Sequence, residues 1–315
     1  MNAFTHPLFA GGMPRLGPEI YAFLMRHDLV FSVGGDLFTL SLPSEVDPMP
    51  PGMSVVHLDV DPWELGKNYA AEVAILGDPK ATLPELSEAV RRRTTAKGHR
   101  DAGKRIQAAG AAHERARAEL AERAVSLASA VPMAPLSLVH AVAAVTPPDA
   151  VIVDEAISSA NGIRQFFACA DAKSFFSLRG GGIGWGLPAT LGIKLALPNR
   201  PVIALVGDGS AMYTNQALWT AARESIPVVY VIMNNASYRI LKQRTHALKG
   251  FSAEDDVYVG MDLDRPLIDY VGLAKSLGVA GEHVDKTADV GPAVTRGLKS
   301  GGPYLVDVRI DSTFK

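Results

Sequence analysis

The segment Val202-Ile-Ala-Leu-Val-Gly207-Asp208-Gly209-Ser210 sets one carboxylate between two glycines at the end of a short apolar run. A second apolar run, Val228 to Met233, ends in Asn234-Asn235. As consecutive strands of one right-handed βαβ unit, the two runs point the same way. Asp208 and Asn235 then emerge at the same edge of the sheet, where such folds bind ligands. An Asp carboxylate, an Asn amide oxygen and a nearby backbone carbonyl are hard oxygen ligands. An octahedral Mg²⁺ held by them leaves its remaining positions to phosphate oxygens and water, so the pair suits a diphosphate. The pattern also predicts a helix from Ala211 to Ser225 whose amino end directs unpaired N–H groups and positive dipole at the anion, with the Ser210 hydroxyl as a further donor. Taken alone, Gly-Asp-Gly reads rather as a tight turn and Asn234-Asn235 as a strand-end cap.

The elements that must position these residues follow from short apolar runs ending in turn residues, the appearance of parallel strands buried on both faces. Strands are expected at Leu29 to Val33, Ser54 to Val60 and Val73 to Leu76, with a helix from Leu83 to Arg93. Three strands make a small sheet, and the first begins only about 28 residues into the chain, so residues 1–95 look like the second half of a Rossmann-like domain. The Ala, Arg, Glu and Lys of residues 97–130 favour helix throughout, and residues 96–134 are read as a helical linker. From Pro135 the expected order is helix to Val145, strand Ala150 to Val153, a polar segment Asp154 to Asn161, a short strand Phe175 to Leu178 and a glycine-rich run Arg179 to Gly186 opening a helix to Leu197. The strand ending at Gly207, a helix, the strand ending at Asn235, a helix Ala288 to Lys299 and a strand Tyr304 to Ile310 complete it. Such alternation predicts an α/β fold for residues 135–315, a doubly wound parallel sheet covered by helices on both faces.

The two motifs are separated by 24 residues, Ser210 to Met233. In that spacing the chain resembles the thiamine diphosphate enzymes of the acetolactate synthase, pyruvate decarboxylase and benzoylformate decarboxylase superfamily. The resemblance implies that Asp208 and Asn235 ligate Mg²⁺ with the backbone oxygen of Ser237 as third protein ligand, and that Gly209, Ser210 and Tyr238 lie along the diphosphate of the cofactor. It likens Arg179 to Leu187 to the family's glycine-rich loop, in which the carbonyl at Gly181 accepts from the aminopyrimidine and Ile183 wedges beneath the cofactor. Without that resemblance, Ile183 is simply a core residue at a helix start. Ser158 matches a diphosphate-binding hydroxyl, although Ser158 and Ser159 equally suit helix caps. His6-Pro7-Leu8-Phe9 is similar to a segment that contributes an active-site histidine in benzoylformate decarboxylase, which makes His6 the catalytic candidate. The implied activity is decarboxylation or carboligation of a 2-oxo acid, with the protein orienting the cofactor and excluding water. The family's pyrimidine-binding domain, and the glutamate it carries, has no counterpart in these residues. The resemblance therefore implies that turnover needs that domain, in a complex or a homo-oligomer. A truncated chain that binds cofactor without catalysis is the other reading.

The remaining features narrow the class. A formal net charge of -2 gives no nucleic-acid footprint, and Arg91 to Arg93 form only a short solvated helix end. The single cysteine, Cys169, excludes an intramolecular disulfide and reads as a packing residue. With neither a leader-like start nor an apolar run of membrane length, the chain is expected to be cytoplasmic. Arg239, Lys242, Arg244 and His246 follow the metal loop. They read mostly as solvated residues, with one positive charge available to a substrate carboxylate. A nicotinamide dehydrogenase is disfavoured because Gly-x-Gly-x-x-Gly fails at Gly182, where Leu187 stands five residues on, and at Gly207, where Met212 does.

Overall fold

The computed structural model describes residue 4 and residues 6–40, 42–169 and 171–314. The chain divides into two compact units, one of residues 10–107 and one of residues 1–9 with 108–315.

In the smaller unit, helix α1 (Gly17–Leu24) precedes strands β1 (Leu29–Val33), β2 (Ser54–Asp59) and β3 (Val73–Leu76), which form a parallel sheet in the order β1-β2-β3. Strand β2 is paired on both sides, which leaves β1 and β3 as the edges of the sheet. Leu29, Phe31 and Val33 all face outward on β1, and Val73 and Leu76 are exposed on β3. Helix α2 (Pro79–Arg93) starts four residues earlier than its apolar pattern suggests because the Asp78 side chain accepts from the Lys80 N–H and Pro79 pre-sets the first turn. Helix α3 (Ala96–Ser126) continues the chain into the second unit.

The larger unit contains helix α4 (Pro135–Val145), strand β4 (Val151–Glu155), a 3₁₀ turn (Ile157–Ser159), helix α5 (Ile163–Phe166), strand β5 (Phe175–Ser177), helix α6 (Gly186–Ala196) and strand β6 (Val202–Gly207). Then follow helices α7 (Asp208–Ala211) and α8 (Ala217–Arg223), strand β7 (Val229–Asn234), helices α9 (Arg239–Ala247), α10 (Phe251–Glu254) and α11 (Tyr270–Ser276), strand β8 (Ala280–Val284), helix α12 (Thr287–Lys299) and strand β9 (Tyr304–Arg309). The six strands are all parallel, in the order β5-β4-β6-β7-β9-β8. Alternate residues of each central strand serve opposite cores. On β6, Ile203 and Leu205 pack with Leu138, Val142, Val290 and Val294 of α4 and α12. Val202, Ala204 and Val206 pack with Leu187, Leu191, Leu218 and Ala274 of α6, α8 and α11. Each fully buried Val, Leu or Ile contributes roughly 1.5–3 kcal/mol, so β6 and β7 are the most firmly held elements of the sheet.

The single helix expected from Ala211 to Ser225 is instead two short ones with a turn at Met212 to Gln216. The Thr214 hydroxyl donates to the Gly184 carbonyl at 2.7 Å, and a Cβ on Gly184 would lie 2.6 Å from that of Tyr213. The glycine-rich loop thus draws the turn out of helical register, a long-range contact that no local pattern announces. Cys169 is buried, as expected, and burial pushes its thiol up to about 11. Among the described residues, no helix is long and apolar enough to cross a membrane.

Candidate active site

The chain leaves β4 toward β5 on one side, whereas β6 leads to β7 on the other, so the strand order reverses between β4 and β6. Their diverging loops open a crevice at the carboxyl edge, the place where open parallel sheets bind ligands. Register sets Glu155 beside Val206 and Gly207 beside Met233. The segments Ala156 to Ser159, Asp208 to Ser210 and Asn235 to Tyr238 therefore emerge together.

Asp208 is 2% exposed and takes part in no ion pair among the described residues. Burial raises its carboxyl to about 6, a rise held in check by the N–H groups of Gly209, Ser237 and Ala236 and its own. The Ser237 N–H donates to Oδ2 at 3.2 Å. Ala236 sits at φ 52°, the bend that turns the loop onto the carboxylate, and its N–H donates to Asn234 Oδ1 at 3.1 Å. Asn234 is fixed in turn by donating from Nδ2 to Asp307 at 3.0 Å. Next to it, Asn235 Oδ1 is buried and has no hydrogen-bond partner among the described residues, and the Ser237 hydroxyl is in the same state. A buried acceptor left unmade costs about 1–3 kcal/mol. An acceptor with nothing to accept, beside a buried carboxylate that forms no ion pair among the described residues, is a set of oxygens that suits a hard cation. The described residues hold no cluster of three His, Cys, Asp or Glu, so what the group offers is one carboxylate and neutral oxygens.

Around this pair, a Cβ on Gly209 would meet the Tyr238 ring at 2.4 Å, so glycine is what lets the ring approach the strand end this closely. Ser210 is buried, and the Tyr270 hydroxyl donates to the Asp208 carbonyl at 2.9 Å. The glycine-rich loop carries positive φ at Gly180, Gly181 and Gly184. Gly181 is exposed and Ile183 half-buried; Ile183 lies in the loop, before α6 rather than at its start.

Two residues of this site have roles that the sequence reading did not give them. Glu155, 1% exposed, accepts from the N–H groups of Gly184 at 2.7 Å, Trp185 at 3.0 Å and Gly186 at 2.6 Å, so one carboxylate anchors the end of the loop that leads into α6. Arg239 is buried rather than solvated and donates to Ser158, Ser159 and Asp311. That leaves it without a free face for a substrate carboxylate. Lys242 is likewise engaged with Asp262, and His246 Nδ1 lies 2.9 Å from the Tyr258 hydroxyl. Ser158 and Ser159 form the 3₁₀ turn, without a side-chain cap bond there. His6 is half-buried, and its Nδ1 accepts from the Leu8 N–H at 3.1 Å, a local turn contact. No hydrogen bond among the described residues ties His6 to the Asp208 group.

The comparisons with known proteins agree with this architecture. Residues 158–308 match the model of the C-terminal TPP binding domain of thiamine pyrophosphate enzymes, and residues 2–86 match that of their central domain. Benzoylformate decarboxylase of Pseudomonas aeruginosa is 30% identical over 304 residues, covering 96% of this chain and 52% of that protein. The acetolactate synthase isozyme 2 large subunit of Escherichia coli is 28% identical over 309 residues, 97% of this chain and 52% of that protein. The solved thiamine diphosphate-dependent 4-hydroxybenzoylformate decarboxylase of Rhodococcus jostii superposes with a TM-score of 0.77 at 27% identity, over 99% of this chain and 54% of that one. The chain spans about half the length of the curated relatives it matches.

Proposed function

This chain belongs to the thiamine pyrophosphate enzymes, and from that premise we propose that it holds the diphosphate of thiamine diphosphate through Mg²⁺ and serves the conversion of a 2-oxo acid. The observation that carries the proposal is the unpartnered, buried Asn235 Oδ1 beside the buried, unpaired Asp208 carboxylate. Asp208 and Asn235 are the side-chain metal ligands, with the backbone oxygen of Ser237 as the third. Ser158, Gly209, Ser210 and Tyr238 line the diphosphate. Gly181 and Ile183 serve the aminopyrimidine end, in the loop whose end Glu155 anchors.

When bound, thiamine diphosphate supplies the nucleophilic carbon and the electron sink for decarboxylation. The chain's own residues bind, orient and shield. Asp208 supplies the one full negative charge opposite the metal. Glu155 fixes the last residues of the glycine-rich loop, Gly184 to Gly186, at the start of α6. The roof of Tyr238 on Gly209 excludes water from the strand end. The fold offers no acid or base at the aminopyrimidine by motif, so turnover calls on a pyrimidine-facing domain that brings a carboxylate, from another segment or another subunit of a homo-oligomer. Both decarboxylation and carboligation remain within this chemistry, since the relatives named above include both a decarboxylase and an acetolactate synthase.

Removal of the metal tests the proposal. Quenching of tryptophan fluorescence by thiamine diphosphate should vanish in EDTA and return with excess Mg²⁺. Undiminished quenching in EDTA would show that the diphosphate is held without a cation, and the assignment of Asp208 and Asn235 would fall.

A further inference from the structure

Ser158 stands three residues past the end of β4, in a 3₁₀ turn whose local bonds run from the Ser159 N–H to the Ala156 carbonyl and from the Ala156 N–H to Asp154 Oδ1. Ile157, just before it, sits at φ 49°, a left-handed conformation that a β-branched residue rarely adopts. Such strain persists only where neighbouring structure fixes it. The fixing group is the guanidinium of Arg239, which arrives from the first turn of α9, directly after the metal loop. Its Nε donates to Ser158 Oγ at 3.1 Å, Nη2 to the Ser158 carbonyl and to Ser159 Oγ at 2.8 Å each, and Nη1 to the Asp311 carbonyl at 3.0 Å. Four of the five guanidinium hydrogens are thereby used inside the protein, so Arg239 has little left for an anion.

The contact to Ser158 has a direction. Because Ser158 Oγ accepts from Nε, its own hydrogen is free to donate, and it has no acceptor among the described residues. A serine hydroxyl that otherwise rotates freely is limited to the remaining positions around its oxygen. The guanidinium is planar and rigid, so one side chain sets both the backbone and the hydroxyl of Ser158, which a lysine cannot do.

We infer that Arg239 is a positioning residue for the diphosphate: it ties the Ile157–Ser159 turn to the metal loop and to the end of β9, and orients the Ser158 hydroxyl as a donor to a phosphate oxygen. The inference rests on the diphosphate reading given above. It makes the second wall of the crevice dependent on the first, because the residue that follows the metal loop also shapes the loop after β4.

A double-mutant cycle tests it, with affinity for thiamine diphosphate in Mg²⁺ measured by calorimetry on the 315-residue chain and its Ser158→Ala, Arg239→Ala and doubly substituted variants. Loss of one such hydrogen bond should weaken binding about tenfold in either single variant. The double variant should be weakened by little more than either alone. Magnesium with inorganic diphosphate as the probe should show the same factors. Losses that multiply to about a hundredfold in the double variant, or a loss for the full cofactor without one for inorganic diphosphate, would overturn the inference. Arg239→Lys keeps the charge but not the fork, and should bind as weakly as Arg239→Ala; recovery of affinity in it would show a role for charge alone and would also overturn the inference. Should Arg239→Ala fail to fold, the cycle is read with Arg239→Lys. Absence of binding by the unsubstituted chain would instead reject the diphosphate reading itself.

Discussion

Replacement of Asp208 by asparagine should change how the metal-free protein responds to pH. The Asp208 carboxyl is raised from an ordinary 3.8 to about 6, by burial first and against the pull of nearby N–H groups. A group that binds its proton more tightly in the folded chain than in the unfolded one stabilises the fold below its unfolded pKa. That contribution is lost as pH rises toward the folded value. The rise covers about two pH units at about 1.4 kcal/mol each. Ionisation of Asp208 without a cation thus costs about 3 kcal/mol between pH 4 and pH 6, a cost fully present at neutral pH. The amide of the Asp208→Asn variant cannot ionise, so the variant lacks this loss. Urea denaturation in EDTA, followed by far-ultraviolet circular dichroism at pH 4.5, 6 and 7.5, gives the difference between the two proteins at each pH. The other carboxylates are common to both and largely cancel. The difference should move in favour of the variant by about 2–3 kcal/mol across the range, and saturating Mg²⁺ with thiamine diphosphate should restore the original protein only. A difference constant to within about 1 kcal/mol would refute the claim that the site keeps an unpaired charge at the expense of stability.

Glu155→Ala should destabilise the larger unit by about 3 kcal/mol, because three N–H groups, two of them buried, lose their acceptor; amide exchange would locate the opening at residues 184–186, and unchanged protection there would contradict the anchor. Gly209→Ala should weaken cofactor binding at least about tenfold by displacing the Tyr238 ring, and part of that loss should be recovered when Tyr238→Ala is added, as titration calorimetry can show; no recovery would place the damage elsewhere. Hydrogen exchange by mass spectrometry should find residues 202–235 strongly protected and residues 29–76 exchanging much faster, since the outward faces of β1 and β3 are apolar and uncovered within their own unit. Equal protection would show that the three-stranded sheet is stable as it stands.

The strands that carry the site were legible because burial on both faces leaves no room for polar residues: Val202 to Val206 and Val229 to Met233 read as strands by composition alone. Asp208 and Asn235 were legible as strand-end residues at a telling distance from each other. By contrast, β8, with the sequence Ala-Gly-Glu-His-Val, lies at the sheet edge with Val284 as its one buried residue, so it has no apolar signature. The break between α7 and α8 depends on Thr214 reaching Gly184, 30 residues away. Glu155 and Arg239 were missed for the same reason. Their partners lie 29 to 31 residues ahead and 72 to 81 residues behind or ahead in sequence. The one local hint was a carboxylate directly after a buried strand, where solvation alone would not place it. Runs of charge between Arg239 and His246 suggested surface, whereas packing of the first turn of α9 against the Ile157–Ser159 turn made Arg239 interior.

The central claim is that Asp208 and Asn235 hold a metal which holds the diphosphate. Isothermal titration of thiamine diphosphate into the chain and into Asp208→Ala and Asn235→Ala, each with Mg²⁺ and with EDTA, tests it most directly. Binding should appear only for the unsubstituted chain with Mg²⁺ and fall by about a hundredfold or more in both variants, a loss of about 2.7 kcal/mol or more, while circular dichroism shows the fold retained. Equal affinity in the chain and its variants, with or without Mg²⁺, would contradict the account.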